Sequence, residues 1–406
     1  MTKRMMAAAV LAAVAGPAHA AEIAWKPLAE ARLRYEHVEQ DGLRLEANAL
    51  TARVRGGVQA SSGGISALVE AQGNLALSGR YYDGLEGNAA RPLVADPENV
   101  ALYRAQLQFR AGPLTATAGR QKIALDDERF VGNVGFRNNA QTFDAVRLEW
   151  TGIPKVKADV SYAWSVRTIW GINGRAARQQ AVSGDNVLAN LSWAGPVGTL
   201  TGFAYLVDQD EAAVQGYRLS SQSYGARLAG GHAFSPQVKL GYQLGYARQS
   251  DWRRNPNDYR ADYYLADAML DLAAFRIGGG YEVLGAGKGA VGGRALTSFQ
   301  TPLGTNFKFQ GWADKFLTTP PDGVRDLYVS AGWGAKAIGA LKGVSVMATW
   351  HRFASDRLDR HYGNELDLLA GAKLGRTAIS LRYADYHADR FATDTRKAWV
   401  QLDWAI

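Results

Sequence analysis

The stretch Val238-Lys239-Leu240-Gly241-Tyr242-Gln243-Leu244-Gly245-Tyr246 places an apolar side chain at every second position. Successive side chains of a β-strand point to opposite faces, so this stretch predicts one face in an apolar medium and one in a polar medium. The same alternation recurs in segments that begin at Ala29, Ala101, Val156, Leu366 and Ala398. The repeated pattern predicts an antiparallel, all-β protein.

Strand length and aromatic placement distinguish a transmembrane barrel from a soluble β-sandwich, whose strands are shorter and whose polar face lies outside. The alternation persists for about 8 to 11 residues, and a tilted strand needs about 9–11 residues to cross a bilayer. Aromatic residues near the strand ends are typical of the girdles at both membrane interfaces. These residues are Tyr35, Tyr103, Phe109, Trp150, Trp164, Trp193, Tyr242, Tyr246, Tyr264, Tyr281, Trp333, Trp350, Tyr383 and Trp404.

Short connections rich in Gly, Pro and Ser alternate with long polar ones along the whole chain. The long segments fall near 78–99, 126–141, 168–185, 208–222, 248–260, 285–325, 354–362 and 387–396. Such asymmetry is typical of periplasmic turns and extracellular loops, and it puts both termini on the periplasmic side. We predict a transmembrane antiparallel β-barrel of about 18 strands. Two segments depart from the pattern: 199–207 has mixed faces, and Ala273-Ala274 lacks turn residues.

The N-terminus and the composition restrict the class of protein. Lys3 and Arg4, an apolar run to Ala15 and the sequence Ala18-His19-Ala20 predict a secretory signal peptide at residues 1–20, with the barrel occupying 21–406. The absence of Cys excludes a disulfide scaffold and a lipid-anchored cysteine. A charged content of 21% excludes a bundle of transmembrane helices. The net charge of +8 becomes +6 once the signal peptide is removed, because the latter contains two basic residues and no acidic one.

No motif for catalysis, for a cofactor or for nucleic-acid binding is convincing. The histidines that follow residue 20 form neither an H-E-x-x-H motif nor another paired spacing for a metal. His351 and His387 have no partner that the sequence identifies. We therefore expect no enzyme activity, no cofactor and no metal. A hydrolytic barrel and a purely structural or adhesive barrel are less favoured alternatives.

Charged residues occupy the face predicted to line the barrel interior. Basic side chains on that face include Arg32, Arg34, Arg53, Arg55, Arg104, Arg110, Arg120, Lys122, Arg147, Arg227 and Arg382, and acidic ones include Glu30, Glu36, Glu70, Asp144, Glu282 and Glu365. Neutralising ion pairs explain most of them. A surplus of arginine would instead form a path for anions, because guanidinium groups match carboxylates with paired donors.

Two blocks resemble the alginate-export family of outer-membrane barrels. One runs from Gly119 to Gly132 and continues to Arg147, and the other runs from Phe299 to Phe316 and on to Tyr328. The resemblance implies an 18-stranded barrel that exports the polyuronate alginate through an arginine-rich constriction. Phe136 replaces an expected Trp, and Trp404-Ala405-Ile406 replaces the usual terminal Phe that helps the barrel-assembly machinery recognise its client.

Both blocks lie in long loops that contain apolar residues, so we predict that they fold into the barrel mouth. That arrangement would place basic residues on the narrowed path and let acidic ones hold them by ion pairs. The predicted path residues are Arg104, Arg110, Arg120, Lys122, Arg129, Arg137, Arg147 and Lys308, with Asp126, Asp127, Asp144 and Asp314. An equally favoured alternative is that these charges only brace the folded loops.

The predicted function is conduction of an anionic, alginate-like polysaccharide from the periplasm to the exterior, without chemistry. The alternative is uptake of small anions such as sugar acids or aromatic acids, since the sequence does not fix the direction of flow. The expected partners are these anions, outer-membrane lipid, the assembly machinery and periplasmic export components.

Overall fold

A computed structural model describes residues 22–212, 214–288 and 294–406, so the predicted signal peptide at 1–20 lies outside the described residues. Eighteen strands follow one another along this part of the chain. They are β1 (Ala24–Gln40), β2 (Ala47–Ser62), β3 (Ile65–Ala76), β4 (Asn99–Ala111), β5 (Leu114–Gln121), β6 (Thr142–Trp150), β7 (Val156–Arg167), β8 (Ala181–Gly195), β9 (Gly198–Val207), β10 (Ser221–Ala233), β11 (Val238–Asp251), β12 (Arg260–Leu272), β13 (Phe275–Leu284), β14 (Val324–Ile338), β15 (Leu341–Ala354), β16 (His361–Leu374), β17 (Thr377–Ala388) and β18 (Thr395–Ala405). Within the described residues, the helical elements are two 3₁₀ turns, Gly216–Leu219 and Asn306–Lys308, and no helix is long and apolar enough to cross a membrane.

Each strand pairs antiparallel with its neighbours in sequence, and β18 pairs with β1 to close the barrel. The closing register sets Leu33 opposite Leu402 and Gln40 opposite Thr395. Closure leaves no open sheet edge, which a barrel in lipid requires because the hydrocarbon offers no hydrogen-bond partners. The prediction of an 18-stranded antiparallel barrel is confirmed.

The connections confirm the predicted alternation of short turns and long loops. Ala273-Ala274 is a two-residue turn, with Leu272 opposite Phe275, and Ala273 takes a φ of 54°. Glycine or asparagine usually supplies that left-handed conformation in a tight hairpin, which is why the sequence showed no turn there.

The two faces of the barrel differ in polarity as predicted. Leu244, Val329 and Val400 point outward and expose about half of their surface, while Gln249, Ser330 and Trp399, at positions of opposite parity on the same strands, point inward and are buried. Most of the predicted girdle aromatics also lie on the outer face, including Trp150, Trp164, Trp193, Tyr264 and Trp350.

Tyr103 and Val166 depart from the predicted alternation. The register between β3 and β4 shifts so that Glu70 faces Arg104 and Ala71 faces Leu102, which leaves Tyr103 without a cross-strand partner. This β-bulge turns Tyr103 into the interior, where only 4% of it is exposed, so its assignment to the lipid face was wrong. A second bulge, at Trp164 in β7, turns Val166 inward in the same way.

Residues 122–141 enter the lumen because the strands that flank them are short. β5 has 8 residues and β6 has 9, so the chain leaves the wall partway along the barrel. Phe130 then packs against Phe203, Tyr263 and Phe299, with ring centroids 5.1, 5.0 and 5.8 Å away. The prediction that both loops pack their apolar residues inside the barrel mouth is confirmed, since Val131, Phe299 and Phe316 are buried.

Candidate functional site

Arg129 fastens the 122–141 loop to the wall of the barrel. Its Nε donates to Glu282 of β13 at 2.7 Å, and its Cζ lies 4.8 Å from the Phe309 ring centroid. The Arg129 and Glu282 side chains expose 2% and 3% of their surface. The ion pair therefore joins the 122–141 loop to the barrel wall, and the Phe309 contact joins it to the 285–325 loop.

Arg137 forms a second fastening within the same loop. Its guanidinium contacts Glu36 of β1 at 3.0 Å, Asp314 of the other loop at 3.0 Å and Asp96 at 3.7 Å. Burial disfavours the charge of Arg137, but Glu36 and Asp314 outweigh that cost and raise the pKa of Arg137 above its ordinary value. Burial likewise opposes the ionisation of Asp314, yet Lys397 and Arg137 hold its pKa below the usual range.

Both arginines are thus enclosed, in contrast to the prediction that they face the open path. The acids that enclose them, Glu36 and Glu282, come from strands distant in sequence, and no sequence pattern pairs them with this loop. The geometry favours the bracing alternative for Arg129 and Arg137.

Most of the other predicted path residues form ion pairs. Arg104 pairs with Glu70 at 2.6 Å, Arg120 with Asp144 at 2.7 Å and Arg147 with Asp159 at 2.6 Å, each pair linking neighbouring strands. Lys308 pairs with Glu128 at 2.6 Å. Asp126 and Asp127 lie near Arg227, at 3.7 and 3.3 Å. Arg110 is exposed near a periplasmic turn, away from the constriction.

Beside the folded loop lies a cavity of about 700 Å³, which we call the vestibule. Its floor is the loop at Asn133 and Gly135, and its outer rim is the periplasmic turn around Gly375. Six cationic side chains line it: Arg32, Arg53, Arg55, Lys122, Lys373 and Arg376. Two acidic side chains, Glu30 and Asp403, also line it, so the cationic side chains outnumber the acidic side chains by four.

The pairing within the vestibule shows where the surplus lies. Glu30 contacts Arg53 at 3.2 Å and Arg55 at 3.3 Å, and Asp403 contacts Arg32 at 2.7 Å. Arg53 and Arg55 are nearly buried, so they act on the vestibule mainly through their electric field. Among the described residues, Lys122, Lys373 and Arg376 form no ion pair. Burial, with Arg104 and Arg55 nearby, lowers the pKa of Lys122.

A second basic group is Arg382 of β17, which points into the lumen beside two aromatic rings. Its Cζ lies 5.0 Å from the Phe136 ring centroid and 4.9 Å from that of Trp312. The Cζ atoms of Arg34 and Arg137 also lie near the Phe136 ring, 4.3 and 5.5 Å from its centroid. Arg382 has no acidic partner within ion-pair distance in the part of the chain that the structure describes.

Sequence analysis assigned Arg32, Arg53, Arg55 and Arg382 to the inner face but did not single them out, and it missed Lys373 and Arg376. The inward position of these four arginines was predictable, because they occupy strand positions whose side chains alternate toward the lumen. Lys373 of β16 also has the inward parity, which it shares with Glu365 and Asp367, so its position was predictable. Arg376 lies in the periplasmic turn that follows β16, where alternation no longer fixes the direction of a side chain.

One cluster of the described residues has the composition of a metal site. Ligand atoms of His37, Glu39 and Glu46 lie within 4.8 Å of one another. Both ring nitrogens of His37 already have partners, Asn48 at 3.0 Å and Glu39 at 3.2 Å. The expectation that the protein needs no metal stays a prediction.

The chain was compared with known families and structures. A family profile described as alginate export matches residues 29–170, which confirms the predicted resemblance over that segment and includes the first of the two blocks. No curated protein sequence matches the chain. The second block lies outside the matched segment.

Solved porins share the whole fold at low sequence identity. OccAB4 of Acinetobacter baumannii has a TM-score of 0.70 and 12% identity, over 96% of this chain and 100% of that one. OpdL of Pseudomonas aeruginosa has a TM-score of 0.67 and 15% identity, over 94% and 98%. OpdK of Pseudomonas aeruginosa, crystallised with vanillate, has a TM-score of 0.66 and 12% identity, over 94% and 98%. These likenesses, with the family match, support an outer-membrane channel. The chain is therefore an 18-stranded barrel with the fold of outer-membrane porins, and its residues 29–170 match the alginate-export family.

Proposed function

We propose that this protein is an outer-membrane channel for carboxylate-bearing anions, and that its substrate is an alginate-like polyuronate that leaves through it. The observation that carries the proposal is the vestibule, with six cationic and two acidic side chains. A cleft lined by one sign of charge and walled by material of low dielectric constant raises the local concentration of counter-ions.

The distribution of the vestibule cations suits a charged polymer. Lys122 lies at the inner end, and Lys373 and Arg376 lie at the periplasmic rim, all without an acidic partner among the described residues. Several weak sites in series let a chain of uronates slide, whereas one strong site would hold it. The match to the alginate-export family over residues 29–170 covers most of the vestibule arginines and supports this substrate class.

The position of the vestibule supports outward transport. It opens beside the Gly375 turn and the C-terminal end of β18, both on the periplasmic side. A capture site is most useful on the side from which the substrate arrives, because the raised local concentration speeds its entry.

A second candidate is uptake of small aromatic acids, and Arg382 is the observation that favours it. A guanidinium without an acidic partner, beside Phe136 and Trp312, offers a carboxylate contact next to two ring faces. OpdK was crystallised with the aromatic acid vanillate and has the same fold.

Block of the open channel in a planar bilayer distinguishes the two candidates. With the protein inserted in one orientation, polymannuronate added on the periplasmic side should reduce the current at a lower concentration than glucuronate or vanillate. Preferential block by vanillate would support the second candidate. A current unaffected by all three acids would contradict both.

A matched pair of variants ties the block to the vestibule. Lys373→Gln/Arg376→Gln removes two cations of the periplasmic rim, and Arg253→Gln/Arg254→Gln removes two exposed cations of an extracellular loop. We expect the first variant to weaken periplasmic polymannuronate block several-fold and the second to leave it unchanged. Equal effects would show that only the total charge matters.

A further inference from the structure

The outer surface of the barrel carries an apolar groove of about 470 Å³ across β9 to β13, which we call the lipid-face groove. Its sides are large outward side chains: Leu200, Leu228, Leu244, Tyr246, Tyr264 and Tyr281. Ala226 faces Tyr246 across the strands, and Ala266 faces both Leu244 and Tyr281, so small residues form its floor. A groove of this shape fits an acyl chain.

A cluster of charged residues lies directly above the groove. Arg248 Nε and Lys288 Nζ contact the same carboxylate, that of Asp262, at 3.0 and 2.8 Å, and the Tyr246 hydroxyl donates to it at 3.0 Å. The side chains of Arg248 and Lys288 are 61% and 71% exposed, whereas Asp262 is 6% exposed. The carboxylate is covered, and the two cations remain open to the outside.

Arg260 adds a third cation to the same cluster. Its backbone is hydrogen-bonded to Lys288 in both directions, at 3.1 and 2.6 Å, and its exposed side chain has no acidic partner within ion-pair distance in the described ranges. With the exposed Asp258 included, the cluster contains three cationic side chains and two acidic ones, Asp258 and Asp262. The cluster retains net positive charge.

The height of the cluster places it at the outer leaflet. β11 starts at Val238, beside a periplasmic turn, and Arg248 lies ten residues further on, on the outward face. With a rise of about 3.3 Å per residue and a tilt near 40°, Arg248 is about 25 Å above the start of the strand, roughly the height of the apolar band. The cations are therefore level with the headgroups, and the groove extends into the acyl region below them.

We propose that this site binds a phosphate-bearing, acylated lipid of the outer leaflet. One acyl chain would lie in the lipid-face groove, and the phosphate would contact Arg248, Arg260 and Lys288. Charge complementarity identifies the headgroup, because exposed guanidinium and ammonium groups above an apolar groove match an anion attached to a hydrocarbon chain. The site is independent of what passes through the lumen.

Native mass spectrometry of the purified barrel tests the proposal, with bisphosphorylated lipid A as the probe. We expect the wild type to retain this lipid and to retain its dephosphorylated form much less. Arg248→Gln/Arg260→Gln should weaken retention roughly tenfold. Arg396→Gln is the matched control, since Arg396 is an exposed outward cation (56%) on β18, seven strands away. Equal retention by the double variant and the control would overturn the proposal.

Two further variants keep the test decisive. Ala266→Trp fills the floor of the groove with all three cations in place and should also lower retention of the phosphorylated lipid. Lys288→Gln replaces the double variant if the latter does not fold, because Lys288 lies outside the strands, and it should also weaken retention of the phosphorylated lipid. Displacement of the lipid by millimolar inorganic phosphate would identify a simple anion site and contradict a lipid site.

Discussion

Arg137 and Glu36 are joined at 3.0 Å although 101 residues separate them, and both side chains are almost completely buried. The contact fixes the inward loop to the strand that closes the barrel. Asp314 of the second loop contacts the same guanidinium at 3.0 Å. One side chain therefore connects the wall and both loops that narrow the lumen.

Replacing Arg137 should loosen the constriction. Arg137→Met leaves Glu36 buried without its partner and Asp314 with only Lys397, and breaking a buried ion pair from one side costs about 3–5 kcal/mol. We expect a lower thermal stability and a larger, noisier single-channel conductance.

Lys308→Met provides the comparison for that variant. Lys308 is about half exposed in its pair with Glu128, and pairs of this kind contribute about 0–1 kcal/mol. If Arg137→Met and Lys308→Met behave alike, the buried contact does not hold the loop.

The two faces of β11 should respond differently to a new charge. Leu244→Arg places a cation on the lipid face and should cost about 2–4 kcal/mol near the midplane. Gln243→Arg points inward, where Asp267 is its cross-strand neighbour, and should cost far less. Folding into liposomes measures both free energies, and similar values would contradict the assignment of Leu244 to the lipid and Gln243 to the lumen.

Lys315, in the second loop, should make stability depend on pH. Burial, together with the nearby Lys397, lowers the pKa of Lys315 from about 10.5 to about 8. The unfolded chain thus binds this proton more tightly, so the cost of keeping Lys315 protonated in the folded state is fully present below about pH 8. That cost falls as the pH rises from about 8 to 10.5.

We therefore expect part of any gain in thermal stability between pH 7 and pH 9 to come from Lys315. Lys315→Met should remove that part and leave the remainder. If the thermal stability of Lys315→Met depends on pH in the same way as that of the wild type, Lys315 does not contribute to this pH dependence.

Local alternation made the strands predictable, and it failed where a tertiary contact reverses it. The segment 199–207 had mixed faces because Phe203 and Tyr205 point inward to pack on Phe130, in a loop about 70 residues away. The bulge at Tyr103 turns that ring beneath Arg55, 3.9 Å from its Cζ, and no local pattern indicates this contact.

The sequence predicts which basic residues line the lumen better than it predicts which of them are free of acidic partners. Parity alone puts Arg53 and Arg55 inside, but whether a luminal arginine is free depends on acids such as Glu30 on a neighbouring strand. Arg129 and Arg137 lie in a segment that resembles the alginate-export family, yet distant carboxylates enclose them. Ion pairing across the lumen depends on barrel closure, which a linear pattern does not encode.

The central claim is that the lumen favours anions because cations outnumber acids in the vestibule. The reversal potential of the wild-type channel in a planar bilayer, under a potassium chloride gradient, tests it most directly. We predict a reversal potential of the sign that chloride permeation produces, reduced in Lys373→Gln/Arg376→Gln. A reversal potential of the opposite sign, showing that potassium permeates more readily than chloride, would contradict the account.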